Sequence, residues 1–227
     1  MLSNRLQLIA DMVPACEVMA DIGTDHGYLP IDLVQSGKVG KAYAMDINKG
    51  PLAKADANIQ DADLQSRVTT MLSDGMAHLP EDVQVVVIAG MGGMLIGSIL
   101  ESEQKKLNQL SHLVLSPHLH VVEMRKKVHA LHWCIAKEHM VEDAEKYYTV
   151  MTCEPRTESY SQIEYQYGRQ LMILRDPVWL KYMAFKYEKL KKIAMGLRNK
   201  NTENTRTRLL EIEAELREIE EVTQYEA

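Results

Sequence analysis

Residues 19–29 read Met-Ala-Asp-Ile-Gly-Thr-Asp-His-Gly-Tyr-Leu, and the rest of the predicted architecture extends from this stretch. The apolar run before Asp21 is typical of a strand, and a helical pattern begins at Tyr28. Gly23 and Gly27 bracket the passage between them. Because glycine has no Cβ and tolerates positive φ, the backbone there can turn tightly and approach a bound molecule. The stretch predicts a strand, a glycine loop and a helix whose first N–H groups face a polar ligand. Simple turn chemistry is the alternative interpretation.

Three predicted strands end in or near an aspartate: Asp21, Asp46 and Asp74. The carboxyl ends of parallel strands share one edge of an open α/β sheet, where ligands bind, so we expect the three carboxylates along that edge. Asp46 lies 25 positions after Asp21. Near this spacing, dinucleotide folds and their relatives place an acidic residue that accepts hydrogen bonds from ribose hydroxyls. An aspartate that begins the turn before Pro51 is the alternative for Asp46.

The remaining strand patterns complete a sheet. Residues 83–89 are a near-continuous Val and Ile run of the kind buried on both faces of a parallel sheet, and Gly90-Met91-Gly92-Gly93 follows it. A fifth strand at 113–115 precedes Ser116-Pro117-His118. Two β-rich stretches that are typical of an antiparallel pair come next, at 133–141 and 147–153. The sequence therefore predicts an α/β protein with a mostly parallel, seven-stranded sheet and an antiparallel edge.

The pattern becomes helical from about residue 178. Apolar residues recur at spacings of three and four over 180–197 and again over 209–219, with a polar break at 199–204. This predicts an antiparallel helical hairpin, and hence two parts of the chain, residues 1–160 and 161–227. The aromatic side chains of the first helix are expected to be buried rather than stacked on bases; they are Tyr182, Phe185 and Tyr187.

Charge is divided sharply within this hairpin. Residues 180–208 hold nine Lys or Arg and two Glu, whereas residues 209–227 hold seven Glu and one Arg. The first helix is therefore a candidate surface for a phosphate backbone, with Lys189, Lys191 and Lys192 as candidate contacts. Complementary charge between two paired helices explains the same pattern equally well.

Composition excludes several classes of protein. The chain has 227 residues, is 46% hydrophobic and carries a net charge of −6, which suits a packed globular protein and disfavours nonspecific coating of nucleic acid. The longest apolar stretch, 85–93, is too short to span a bilayer, and no signal region precedes it, so we expect a cytoplasmic protein without a membrane partner. The three cysteines are widely spaced, and we expect them to be reduced, with no metal bound.

The residues of the glycine loop favour one cofactor. A nicotinamide site requires a pyrophosphate beside the helix, but Gly23 is followed by Asp25, which would repel phosphate. S-adenosylmethionine has no phosphate and offers an ammonium group, a ribose diol and an adenine. Asp21 or Asp25 can bind the ammonium group, Asp46 the ribose hydroxyls and Asp74 the exocyclic amine of adenine.

Two motifs in combination, Asp-Ile-Gly-Thr-Asp-His-Gly-Tyr-Leu-Pro at 21–30 and Ile-Ala-Gly-Met-Gly-Gly at 88–93, resemble the bacterial tRNA (adenine(22)-N1)-methyltransferase family. The resemblance covers the whole chain, including Ser3-Asn4-Arg5-Leu6 and the hairpin. It implies a Rossmann-like class I methyltransferase domain with a C-terminal coiled coil, acting on N1 of an adenosine in the D-arm of tRNA. The chain departs from the family where Ser116-Pro117-His118 replaces the typical Gln-Pro-Asn. Asp46 also stands where Glu is frequent.

The candidate site follows from these arguments and from the resemblance. Asp25 is the candidate catalytic residue, because methylation at N1 leaves a cationic base that a carboxylate stabilises. The candidate cofactor-binding residues are Asp21, Gly23, Thr24, His26, Gly27, Tyr28, Asp46, Ile47, Asp74, Gly75, Ala89, Gly90, Met91 and Gly92. The candidate substrate-binding residues are Arg5, Ser116, Pro117, His118, Lys189, Lys191 and Lys192. A structural loop histidine is the alternative for His26, and a solvated surface side chain is the alternative for Arg5.

Two other functions fit the same residues. A methyltransferase of this fold could act on a small molecule or a protein, although the basic helix argues against it. A module that binds S-adenosylmethionine and RNA without chemistry is the second alternative, since Ser116-Pro117-His118 departs from the family pattern.

Overall fold

The protein was analysed as a computed structural model that describes residues 2–198 and 202–224. The strands are β1 Cys16–Ile22, β2 Val39–Asp46, β3 Val68–Leu72, β4 Val85–Ala89, β5 His112–Ser116, β6 Cys134–Asp143 and β7 Lys146–Glu154. The helices are α1 Asn4–Met12, α2 Tyr28–Gln35, α3 Lys49–Asp61, α4 Gly93–Ser102, α5 Gln104–Leu107, α6 Val121–Ala130, α7 Gln162–Tyr167, α8 Arg169–Leu174, α9 Pro177–Arg198 and α10 Glu203–Thr223.

The strands form one seven-stranded sheet in the order β3-β2-β1-β4-β5-β7-β6. Strands β1 to β5 are parallel, and β7 and β6 complete the sheet as an antiparallel edge, which confirms the predicted fold class. Strand order reverses between β1 and β4, so the loops that follow these two strands diverge and leave a crevice at the carboxyl edge.

The core lies on both faces of this sheet. Along β4, Val86 and Ile88 pack into one hydrophobic cluster and Val85 and Val87 into the other, and all four are fully buried. This is the two-sided burial that the continuous apolar run predicts. The strand begins at Val85 rather than at residue 83, because the preceding residues form a turn.

The ends of two elements follow local chemistry. Helix α1 begins where the Ser3 hydroxyl accepts a hydrogen bond from the Leu6 N–H. The predicted antiparallel pair is β6 and β7, joined by a tight turn in which Ala144 and Glu145 have positive φ of 48° and 62°. Two positive φ values at the centre of a two-residue turn match the right-handed twist of the strands.

The C-terminal part contains more than the predicted hairpin, because the short helices α7 and α8 come before it. Helices α9 and α10 pair through apolar residues such as Leu190 and Ile212. Of the predicted polar break, residues 199–201 lie outside the described residues, and Thr202 caps α10 by accepting a hydrogen bond from the Thr205 N–H. The expectation that Phe185 is buried is wrong: its side chain is 56% exposed.

A buried ion pair joins the sheet to this C-terminal part. The Arg125 guanidinium lies 2.8 Å from Glu138 Oε1 and donates a 2.7 Å hydrogen bond to the Tyr165 carbonyl. Gly168, with φ of +88°, allows this approach, because a Cβ at its position would lie 2.8 Å from the Arg125 side chain. Arg125 thus connects α6, β6 and α7 through one side chain.

Among the described helices, none has the length and apolarity to cross a lipid bilayer.

Candidate active site

A cavity of about 500 Å³ opens at the carboxyl edge of the sheet, where the loops after β1 and β4 diverge. Its walls come from the start of α1, the glycine loop, the end of β2, the loop after β4 and the loop after β5. The lining residues are Arg5, Leu6, Asp21, Gly23, Thr24, Asp25, His26, Gly27, Tyr28, Leu29, Asp46, Ala89, Gly90, Met91 and His118. The two sequence motifs thus meet at one site.

The glycines bring the two loops into contact. Gly23 has φ of +80°, and a Cβ at its position would lie 2.1 Å from Met91 Cε. Its N–H donates a 2.8 Å hydrogen bond to the Met45 carbonyl, which fixes the loop against the end of β2. A larger residue at this position would displace Met91 and strain the backbone, so the close packing of the loops requires glycine.

Asp21 is the most buried carboxylate in the cavity, with 8% of its surface exposed. Burial, together with the nearby charge of Asp46, raises the pKa of the Asp21 carboxyl to about 6, and a hydrogen bond from Thr24 acts in the opposite direction. A buried anion beside a second anion favours a cationic ligand group, because such a group offsets both desolvation and repulsion.

Asp46 has two roles. Its Oδ1 accepts a 2.6 Å hydrogen bond from the Asn48 N–H, so it does begin a turn, as the alternative interpretation predicted. The same side chain also lines the cavity, at the rim beside Asp21. The two interpretations of this residue are therefore compatible.

Asp25 and its neighbours form the outer wall. The Asp25 carboxylate is exposed and lies 3.3 Å from His26 Nε2 and 3.8 Å from Lys54 Nζ. The His26 and Tyr28 rings stack with centroids 5.1 Å apart and an interplanar angle of 4°. The His26 carbonyl accepts a hydrogen bond from the Asn58 side chain. This wall offers a flat aromatic pair beside a carboxylate.

Arg5 and His118 form the opposite wall. Arg5 Nη1 donates a hydrogen bond to His118 Nε2, and the guanidinium lies 5.2 Å from the centroid of the Tyr148 ring. Burial and the positive charges of Arg5 and Lys146 lower the pKa of His118, so the imidazole is neutral at pH 7 with its proton on Nδ1. Arg5 is therefore half-buried and hydrogen-bonded at the cavity, not solvated.

Several predicted site residues lie outside the lining of this cavity. Among the candidate cofactor-binding residues these are Ile47, Asp74, Gly75 and Gly92. Asp74 is exposed at the same edge of the sheet, where the preceding residue, Ser73, donates a backbone hydrogen bond to the Asp46 carbonyl. The predicted row of strand-end carboxylates therefore exists, and two of its three members line the cavity.

Ser116 and Pro117, two of the candidate substrate-binding residues, lie outside the lining of this cavity, and their contact with substrate stays a prediction. Ser116 is the last residue of β5 and is fully buried, and Pro117 is buried as well. Side chains alternate between the faces of a strand, and the final residue of β5 points into the core. Within this motif, His118 alone lines the cavity.

Lys189, Lys191 and Lys192 lie on the exposed surface of α9, away from the cavity, and we call them the α9 lysine patch. Complementary charge between the helices is also present: Lys186 lies 2.6 Å from Glu215, and Arg198 lies 2.9 Å from Glu213. Complementary charge between the helices is therefore confirmed for these two pairs, and phosphate binding by the α9 lysine patch stays a prediction. Among the described residues, no group of three His, Cys, Asp or Glu could hold a metal ion.

Comparisons with known proteins agree with this geometry. A family model described as a methyltransferase domain matches residues 2–151. The tRNA (adenine(22)-N(1))-methyltransferase of Bacillus subtilis is 36% identical over 154 residues, which are 67% of this chain and 65% of that relative. The Streptococcus pneumoniae protein Sp1610, described as a putative tRNA (m1A22) methyltransferase, is 31% identical with a TM-score of 0.90, covering 98% of this chain and 100% of that one. The chain belongs to the tRNA (adenine(22)-N1)-methyltransferase family. The aligned part thus spans slightly less than two thirds of the Bacillus relative.

Solved structures extend the family likeness over the whole chain. The Streptococcus pneumoniae protein Sp1610, solved in complex with S-adenosyl-L-methionine, has a TM-score of 0.87 and 29% identity, covering 98% of this chain and 100% of that one. The TrmK of M. capricolum, solved with S-adenosyl-homocysteine, has a TM-score of 0.83 and 29% identity over 97% and 96% of the two chains. These family structures were solved with the methyl donor or its product bound.

Proposed function

We propose that this chain transfers a methyl group from S-adenosylmethionine to N1 of an adenosine in tRNA, at position 22 in the D-arm, and does so in the cytoplasm. The observation that supports the proposal most is the buried Asp21 in a cavity built from two glycine loops. The family's solved structures hold S-adenosylmethionine or its product, and the Bacillus relative is named for the same tRNA position.

The residues of the cavity suit this cofactor. Asp21 would bind its ammonium group, and Asp46 would accept hydrogen bonds from its ribose hydroxyls. Gly23 and Gly90, both with positive φ, let the backbone approach the ligand closely. Asp74, exposed at the same edge, is the proposed contact for the exocyclic amine of adenine. When bound, S-adenosylmethionine supplies an electrophilic methyl group on a sulfonium.

The chain's own contribution to the reaction is alignment and charge. Adenine N1 carries an in-plane lone pair and is neutral at pH 7, so no general base is required. The stacked rings of His26 and Tyr28 offer a face to a base drawn out of its helix. Asp25, beside these rings, would stabilise the positive charge that develops on the methylated base. Lys54, 3.8 Å away, offsets part of that carboxylate's charge.

The α9 lysine patch supports a polyanionic substrate. Its three side chains are exposed, and Lys191 lies 4.0 Å from Glu188 of the same helix, whereas Lys186 and Arg198 are engaged by α10. Exposed ammonium groups can contact phosphates. A small-molecule acceptor would have no use for such a surface. The assignment of the C-terminal part, residues 161–227, to tRNA binding follows from this observation.

The test is a turnover assay with methyl-labelled S-adenosylmethionine and two tRNA transcripts, identical except that one carries guanosine at position 22. We expect label in the unaltered transcript alone. Label in both transcripts would refute the position. In a parallel reaction that also contains protein and small-metabolite fractions, label only in those fractions would refute the substrate class. Cofactor and tRNA binding without any label transfer would identify a non-catalytic module.

A further inference from the structure

A second cavity lies beside the candidate active site and has no role in the reaction described above. Its volume is about 230 Å³, and it lies between the loop after β5, the antiparallel edge of the sheet and helix α9. His118 lines both cavities, so the two adjoin at this side chain. The second cavity is therefore next to the base that the first cavity would hold.

The walls of the second cavity are rich in aromatic rings. Tyr147 from β7 and Tyr182 from α9 contact each other, with ring centroids 5.0 Å apart and an interplanar angle of 47°, and so form one aromatic wall. Trp179 and Tyr167 line the same space. Flat π surfaces of this kind bind unstacked nucleobases, and such stacking tolerates any base because every base has a π face.

The Thr149 hydroxyl and the Trp179 indole N–H both line this cavity and make no hydrogen bond within residues 2–198 and 202–224. The indole N–H is fully enclosed, whereas the Thr149 hydroxyl is not. A ligand in the cavity can therefore reach this hydroxyl, which can donate or accept a hydrogen bond.

Among the described residues that line the cavity there is no carboxylate. Its two cationic side chains, Arg125 and Lys186, are paired with Glu138 and Glu215, so the cavity suits an uncharged base rather than a phosphate. Helix α9, which forms one wall, also carries the α9 lysine patch on its exposed surface. One helix thus contributes both to the cavity and to the surface proposed to hold the phosphate backbone.

We propose that this cavity binds one unstacked nucleobase of the tRNA, that of a nucleotide adjacent to the methylated adenosine. The inference rests on the proposed function and extends it to a second contact with the substrate. Stacking on Tyr147 and Tyr182 supplies the affinity, and the Thr149 hydroxyl forms a hydrogen bond with an edge of the base.

The experiment is a thermodynamic cycle on the full-length protein. Tyr182→Leu removes a ring, and Tyr182→Phe is the matched control that keeps the ring. Each protein is tested for binding to the unaltered tRNA and to transcripts that carry an abasic site at the target adenosine or at either of its neighbours. We expect Tyr182→Leu to weaken binding of the unaltered tRNA by at least about fivefold, and Tyr182→Phe to change it little.

The inference is tested by whether the effect of the Tyr182 substitution and the effect of the abasic site on tRNA binding depend on each other. At one neighbouring position, the abasic site should weaken binding to the wild-type and Tyr182→Phe proteins by about fivefold or more, and to Tyr182→Leu by less than about twofold. Equal losses in all three proteins at both positions would overturn the inference. Coupling with an abasic site at the target position alone would also overturn it, because the cavity would then hold the methyl acceptor itself.

Two further measurements separate this inference from its alternatives. Thr149→Val keeps the shape of the side chain and removes the unpartnered hydroxyl, so we expect weaker discrimination between bases at the coupled position with unchanged thermal stability. Tyr187→Leu removes an aromatic ring of α9 outside the cavity and should show no coupling. If the wild-type protein methylates tRNA but shows no coupling, only the cavity assignment fails; if it neither methylates nor binds tRNA, the proposed function itself fails.

Discussion

Binding of S-adenosylmethionine should depend on pH through Asp21. Burial raises the pKa of this carboxyl to about 6 in the free protein, and an ammonium group placed beside it would lower the pKa again. Cofactor binding must then expel the proton that Asp21 carries below that pH. Linkage predicts a release of about 0.9 proton per cofactor at pH 5 and about 0.1 at pH 7. The dissociation constant should accordingly rise by up to about tenfold per unit as pH falls below 6.

Isothermal titration calorimetry in two buffers of different ionisation enthalpy measures the released proton directly. Asp21→Asn should bind more weakly at pH 7 and lose most of this pH dependence. His118 titrates in the same cavity, with its pKa lowered by burial and by Arg5, so His118→Asn serves as the control and should retain the dependence. Proton release below about 0.2 at pH 5, or release that persists in Asp21→Asn, would refute the placement of the ammonium group beside Asp21.

Three further predictions concern other parts of the molecule. Asp25→Ala should lower kcat by about 100-fold and leave the dissociation constant of S-adenosylmethionine nearly unchanged; equal effects on both, by single-turnover kinetics and calorimetry, would make Asp25 a binding residue only. Reversing all three charges of the α9 lysine patch to glutamate should weaken tRNA binding and reduce the slope of log affinity against log salt by about 2 to 3, and an unchanged slope in filter binding would assign the hairpin another role. Arg125→Met should destabilise the protein by about 3–5 kcal/mol in urea unfolding, because Glu138 is left buried and unpaired, whereas the double replacement of both by Met should lose much less; equal losses would contradict that explanation.

The sequence predicts the sheet and the two glycine loops because these depend on local chemistry. The apolar run of β4 and the glycines after β1 determine a strand and a turn through residues that are close in sequence. Parallel pairing then places the carboxyl ends of the strands at one edge of the sheet. The cavity wall formed by Arg5, His118 and Tyr148 depends instead on contacts between residues more than a hundred positions apart. Alternation in β7 places Tyr148 on a face of a strand but does not reveal what packs on it.

The burial of two side chains differs from what the sequence suggests. Strand β5 continues by one residue beyond the predicted 113–115, so Ser116 is its final, buried position and not part of the following loop. Phe185 was expected to be buried, but α9 packs against α10 along a narrow stripe that leaves it exposed. Hydrophobicity alone does not define how wide the buried stripe of a paired helix is.

The arginine at the junction also limits how the protein can be divided experimentally. An expression fragment that ends at residue 160 would retain Arg125 and Glu138 but would lack the Tyr165 and Gln166 carbonyls that accept from the guanidinium. It would also uncover the apolar residues of β6 against which the C-terminal helices pack, such as Met140. Isolated catalytic fragments should therefore aggregate or unfold, and separate roles for the two parts are better assigned by point substitutions in the intact chain than by truncation.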